Sequence, residues 1–170
     1  MFTEKSTMEI VTLDEIRLIG LSFKKLGWAK DCGKYPQMWE LLNTHHRANM
    51  KNIVQPFTAY WFWYNEPTDA GRHSYYIGGH VSCFEDVDEA LVTFVIPARK
   101  YIKHSFNSYD FFKLVDGVLS ESNDKVKQWA EENALEIVHM PESPTQSIQV
   151  YPERELQAQY PAMYTLTPIK

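Results

Sequence analysis

The 170-residue chain is expected to fold as an α+β domain. Two tandem β-β-α-β-β modules with pseudo-twofold symmetry would place helices on an antiparallel curved sheet, with a ligand cavity between the halves. Three observations lead there. The order strand–strand–helix–strand–strand can be read twice along the chain. Short stretches of the two copies run parallel in the same order. Thr12-Leu13-Asp14-Glu15-Ile16-Arg17-Leu18-Ile19 matches Val95-Ile96-Pro97-Ala98-Arg99-Lys100-Tyr101-Ile102, each leading to a Ser-Phe pair (Ser22-Phe23 and Ser105-Phe106). Met38-Trp39-Glu40-Leu41-Leu42 matches Phe111-Phe112-Lys113-Leu114-Val115. The third observation is an unbroken aromatic run, Tyr60-Trp61-Phe62-Trp63-Tyr64, which reads as a strand covered on both faces.

Residues 8–13 and 15–23 read as two short strands with Asp14 near the turn, since Ile16, Leu18 and the apolar positions after them alternate. Residues 27–33 are loop-like. Residues 35–49 read as a helix. Pro36 falls in its first turn, where a missing N–H costs nothing, and Met38, Trp39, Leu41 and Leu42 form an apolar stripe that His45 continues. Residues 52–56 break the pattern before the aromatic strand, 57–65. A turn cluster at 67–71 leads into a returning strand, 74–82, in which Gly78 and Gly79 mark a bend or bulge. Residues 84–90 form an acidic linker. In the second copy, 92–96 and 99–105 form a strand pair around Pro97-Ala98. Residues 109–119 are helical with Asn107 or Ser108 as cap, and 123–133 form a second helix or a kinked extension. Residues 141–145 are loop, and 147–152 and 162–169 are the last strands. One domain therefore spans 1–170, with half-modules at 8–83 and 91–170.

Successive strand side chains point to opposite faces, so Trp61 and Trp63 share one face and Tyr60, Phe62 and Tyr64 the other. One face belongs to the core. The second is open to three readings: more core, a partner surface or an aromatic pocket.

Bulk properties narrow the functions. Hydrophobic residues make up 44% of the chain and aromatics 14%, enough for a real core. The formal net charge of −5, with no basic run, argues against nucleic acid as the main partner. Cys32 and Cys83 form no CxxC and no metal cluster, and read as free thiols in a reducing compartment. The N-terminus is not a signal peptide, and no segment approaches the ~20 apolar residues of a membrane span. A cytoplasmic protein with no membrane association is expected. His45, His46, His73, His80, His104 and His139 form no metal-binding pattern and read as surface or satisfied core histidines. No nucleophile elbow or phosphate loop is present, and no metal or cofactor is expected.

Ordered motifs carry a resemblance. Tyr75-Tyr76-Ile77-Gly78-Gly79-His80-Val81, then Asp86-Val87-Asp88-Glu89-Ala90, then Phe94-Val95-Ile96-Pro97-Ala98-Arg99-Lys100-Tyr101 resemble the GyrI-like effector-binding family. That family includes ligand-sensing domains of multidrug-responsive and AraC-type transcription regulators. Ile148-Gln149-Val150-Tyr151 resembles the family's Ile-Glu-Val-Tyr strand, and Tyr164-Thr165-Leu166-Thr167-Pro168-Ile169 its closing strand. The resemblance implies a tandem pair of modules around a cavity that takes bulky, flat, often cationic lipophilic compounds between aromatic rings, with a buried glutamate as counter-charge. Few residues precede the first strand, so the chain resembles a stand-alone effector-binding protein of the kind carried on a mobile gene cassette, one that does not bind DNA by itself. Two positions depart from the pattern: Gln149 stands for one glutamate and Tyr164 for the other (Ala162 if the strand shifts by two). A cation would then need Glu40, Glu66 or Glu153, or aromatic faces alone.

The ligand-contact candidates are Trp39, Trp61, Trp63, Tyr76, Phe112, Gln149, Tyr151 and Tyr164, with no catalytic residue among them. Trp39 is divided between core and cavity, and at most one of Phe111 and Phe112 should reach the cavity. The leading function is non-catalytic binding of a lipophilic or cationic small molecule. A hydrolase using Glu40, Glu66 or a histidine is a second reading. A module that inhibits a partner protein through an exposed aromatic strand is a third. Open sheets leave edges that can pair, which makes a homodimer compatible with the sequence.

Overall fold

The structure is a computed structural model describing residues 1–29, 32–65 and 73–170. Eight strands form a single antiparallel sheet: β1 Ser6–Leu13, β2 Ile16–Ser22, β3 Thr58–Asn65, β4 His73–Val81, β5 Val92–Ile96, β6 Arg99–Asn107, β7 Ile148–Pro152 and β8 Ala162–Pro168. Their order is β1-β6-β8-β7-β3-β4-β2-β5. Exchanging β1 with β5, β2 with β6, β3 with β7 and β4 with β8 reverses this order onto itself. The pseudo-twofold therefore passes between β3 and β7, and the fold is the α+β one expected.

The helices are α1 Phe23–Leu26, α2 Tyr35–Leu41, α3 Phe111–Lys113, α4 Leu119–Glu132 and α5 Glu153–Leu156. Pro36 does sit in the first turn of α2. The stretch predicted as one helix over 35–49 loosens after Leu41 into a π turn, Leu42–His46, and a 3-10 turn, Arg47–Asn49. The second copy has the same device, a π turn at Leu114–Val118 joining α3 to α4. Of the two readings of 123–133, a second helix or a kinked extension, the structure has the extension, which runs on from the π turn through α4.

Three local expectations are corrected. The strand pair around Pro97-Ala98 does not form: β5 pairs with β2, while β6 lies between β1 and β8. The first copy does the same, since β1 leaves β2 to pair with β6. Each two-residue connector joins strands near opposite ends of the sheet. A dipeptide spans only roughly 7 Å, so the sheet must curve until its ends approach. The cap of the second helical segment is Asp110, whose carboxylate accepts the Lys113 N–H at 2.8 Å. Asn107 is engaged elsewhere, accepting from the Lys5 N–H and donating to the Thr3 carbonyl. Gly78 and Gly79 make no bulge, because both stay in register with β2 and β3. The turn cluster at 67–71 lies outside the described residues.

The aromatic strand is central, flanked by β4 and β7, so it offers no open edge to a partner. Tyr60, Phe62 and Tyr64 are buried on the helix-free face with Tyr76, Ile96, Tyr101 and Val150. The other face meets the helices. Trp61 and Trp63 pack there, only partly buried, against Met38, Leu42, Tyr75 and Ile77. On the second half of that face, α4 lays Val126 and Ala130, one turn apart, onto Ile102 and Ile169. Cys32 and Cys83 are free thiols.

Candidate functional site

The β3–β7 register builds the site. Trp61 stands opposite Gln149, and Tyr151 opposite Ala59, whose methyl leaves room for the tyrosine ring. Trp61 thus becomes the centre of a ring cluster. Its ring lies 5.2 Å from Tyr151, 5.7 Å from Trp39 of α2 and 6.1 Å edge-on from Tyr75. Tyr75 continues the cluster to Trp63 at 5.0 Å and to Tyr35 at 4.8 Å. Such offset and edge contacts suit the ring quadrupole, at about 0.5–1.5 kcal/mol a pair beyond burial. The Tyr151 hydroxyl donates to Gln149 Oε1 at 2.8 Å, which orients the amide. Burial pushes the Tyr75 and Tyr151 hydroxyls up from their ordinary range, so both stay protonated donors. The Trp61 indole N–H is buried with no hydrogen-bond partner among the described residues.

Beside this cluster is a cavity of about 200 Å³, lined by Trp39, Arg47, Phe57, Tyr151, Glu153, Leu156 and Gln157. Glu153 reaches it because α5 starts directly after β7, two residues past Tyr151. Its carboxylate meets the Arg47 guanidinium at 2.9 and 3.0 Å through two nitrogens. The same guanidinium lies 3.8 Å above the Phe57 ring. The cavity is smaller than the roughly 300–1,000 Å³ of drug-sized sites, because side chains of both halves fill the seam. Phe57, Phe106, Leu114, Tyr151 and Met163 form one buried cluster there.

The sequence candidates divide by face. Trp39, Trp61, Trp63, Gln149 and Tyr151 come together on the helix-covered face. Tyr76 falls on the opposite face, fully buried, stacked on Phe62 at 5.2 Å and bonded to the Val92 carbonyl at 2.7 Å. Its neighbour Tyr75 takes the place beside Trp63. A one-residue register difference separates the two, and the turn that fixes register lies outside the described residues. Tyr164 also lies on the helix-free side. It bonds to Tyr60 and lines a separate cleft of about 580 Å³ with Lys103 4.6 Å from its ring. Phe112 is 73% exposed, next to the exposed Phe111. The π turn after Lys113 directs Leu114 inward in their stead. Of the carboxylate candidates, Glu40 is exposed and Glu66 lies outside the described residues.

Sequence reasoning did not single out Arg47, Phe57, Leu156 or Tyr75. Arg47 carries no motif. Its only signal is its position at the end of the first helical segment, where a lone cation ordinarily faces water. Among the described residues, no cluster of His, Cys, Asp and Glu is placed to hold a metal, and no helix is long and apolar enough to cross a membrane.

Residues 9–165 match the Cass2 family, integron-associated effector binding protein. The chain belongs to this family. The Cass2 match agrees with solved structures of the same GyrI-like fold. An integron cassette protein from the mobile metagenome of Vibrio cholerae aligns over 96% of this chain and 95% of its own, with a TM-score of 0.60 and 10% identity. SAV2435 bound to tetraphenylphosphonium aligns over 96% and 94%, with a TM-score of 0.63 and 11% identity. The C-terminal domain of EcmrR aligns over 99% of both chains, with a TM-score of 0.63 and 12% identity. The EcmrR chain of an EcmrR–DNA complex also aligns, with a TM-score of 0.66 and 11% identity over 98% of this chain, which spans 57% of that one. At such identities the likeness is one of fold. No curated protein sequence matches this Cass2 member.

Proposed function

We propose that this Cass2-family chain binds a lipophilic aromatic cation, without chemical conversion, in the seam between β3 and β7. The observation that carries the reading is Glu153, whose carboxylate lines the same cavity as Trp39, Phe57 and Tyr151. Neither position that the family pattern gives to glutamate is acidic here, and Glu153 offers the missing counter-charge from the next element. Ring faces attract a cation by about 0.5–2 kcal/mol, more when desolvated, and a half-buried carboxylate adds Coulomb attraction. The tetraphenylphosphonium bound to the structural neighbour SAV2435 belongs to the same chemical class. Glu153 makes a poor general base while two Arg47 nitrogens hold it, and among the described residues no histidine, serine or cysteine lines the cavity, which favours binding over hydrolysis. The free thiols fit a reducing compartment such as the cytoplasm.

Titration with lipophilic cationic dyes should quench tryptophan fluorescence saturably at micromolar concentration. Trp39→Phe, which removes the tryptophan lining the cavity, should remove most of the quenching, and Glu153→Gln should weaken binding about tenfold. A dye panel giving neither saturable quenching nor a thermal shift would reject the reading.

A further inference from the structure

We propose that Arg47 is a built-in occupant of the cation site, and that a ligand enters by exchanging with it on Glu153 and Phe57. The inference rests on the reading of the seam as a ligand site. Arg47 already makes both contacts such a cation needs. Its guanidinium lies 3.8 Å from the Phe57 ring centroid, and its two terminal nitrogens meet both carboxylate oxygens of Glu153. A third contact, to Asn43 Oδ1 at 3.4 Å, is long for a hydrogen bond.

The pair also ties the two halves together across the cavity. Arg47 belongs to the 3-10 turn that ends the first helical segment, and Glu153 opens α5 behind β7. With Arg47 in place the cavity measures about 200 Å³, too small for a bulky aromatic cation. Withdrawing the arginine side chain enlarges the space and frees the carboxylate in one movement. The side chains of Arg47 and Glu153 are 28% and 33% exposed. Arg47 regains water when released while Glu153 keeps a cationic partner, so the exchange meets no deep burial penalty.

The geometry also selects the sign of the ligand charge. An entering cation replaces Arg47 on the ring and on the carboxylate together. An entering anion would take Arg47 and leave the Glu153 carboxylate among Phe57, Trp39 and Tyr151, whose ring faces repel negative charge. The site is therefore one for a lipophilic monocation that outcompetes an intramolecular guanidinium through its larger aromatic contact.

Tetraphenylphosphonium and the neutral triphenylphosphine oxide serve as probes, with tryptophan fluorescence as readout on the full chain. Arg47→Ala should tighten tetraphenylphosphonium binding at least tenfold and the neutral probe far less. Lys51→Met removes one positive charge at an exposed pair with Asp86, away from the seam, and should change neither. Glu153→Gln should weaken the cation about tenfold, as the site reading itself requires, so the state of Arg47 in the wild-type protein decides the matter if Arg47→Ala does not fold. In the wild-type protein, nitrogen NMR should find the guanidinium rotation of Arg47 slowed in the free state and released on saturation with tetraphenylphosphonium, and rotation unchanged by saturation overturns the exchange. Equal cation affinity in wild type and Arg47→Ala overturns the exchange and leaves the site reading standing, whereas equal affinity in wild type and Glu153→Gln overturns both. No binding of either probe by any of the proteins overturns both.

Discussion

His104 is fully buried on the helix-covered face, and its ring is held by hydroxyls. Nδ1 lies 2.7 Å from Ser122 Oγ and Nε2 lies 2.8 Å from Ser6 Oγ, while Ser122 reaches Thr165 Oγ1 at 3.2 Å. Hydroxyls can donate or accept, so a neutral imidazole is satisfied whichever nitrogen carries the proton. Among the described residues no carboxylate pairs with it. Burial, with Lys125 of α4 adding like charge, lowers its pKa from 6.5 to about 4. The sign follows. Above pH 6.5 both native and unfolded chains hold it neutral, and it adds no pH dependence. Between pH 6.5 and about 4 the unfolded chain takes up a proton that the native protein refuses, so stability falls as pH falls and levels off below that window. The loss over the whole window should be on the order of 3 kcal/mol. Urea unfolding at pH 7 and pH 4.5 should show a larger drop for the wild type than for His104→Gln. Equal drops would mean that His104 titrates normally in the folded protein.

At Gly20, β2 and β4 leave no room between them for a side chain. Gly20 stands opposite Gly78, and a Cβ on Gly20 would lie 1.9 Å from the Ile77 carbonyl oxygen and 2.4 Å from the Gly78 Cα. Neither backbone atom can swing aside, so Gly20→Ala must separate the two strands, at a loss of about 3 kcal/mol or more. Gly79 differs. Its added Cβ would meet the Phe57 ring at 2.5 Å, and a side chain can yield where a backbone cannot. Urea titration should therefore rank Gly20→Ala well below Gly79→Ala in stability, and equal losses would refute the backbone argument. These glycines also mark the limit of what the sequence shows. Gly78-Gly79 was legible as a special point of the returning strand, but a close approach and a bulge look alike until the partner strand is known. Alternation within the aromatic run was legible because side chains simply take turns. Whether Tyr75 or Tyr76 joins Trp63 was not, since that depends on register across the hairpin. Arg47 and Glu153 were illegible as a pair because 106 positions separate them and neither belongs to a motif.

At the scale of the whole molecule, the exchanged end strands decide how the halves depend on each other. Duplication was readable from matched stretches such as those at Leu41-Leu42 and Leu114-Val115. The pairing was not, because no local signal tells β1 to leave β2 for β6. Once made, that exchange means that neither half can complete its own part of the sheet. β2 needs β5 from the second half, and β6 needs β1 from the first. The β3–β7 seam adds a third junction, with Tyr60 against Val150 and Trp61 against Gln149. Stability should therefore be shared, and the chain should unfold in one transition without a state in which one half survives. The tryptophans make this measurable. Four of the five, Trp28, Trp39, Trp61 and Trp63, lie in the first half, and Trp129 alone lies in the second. Fluorescence of Trp129→Phe then reports only the first half, while far-UV circular dichroism reports both, including the long helix α4. The two curves should coincide in urea, with one midpoint and one slope. A fluorescence transition displaced from the dichroism transition would mean that the halves fold separately, and that the exchanged strands couple them only weakly.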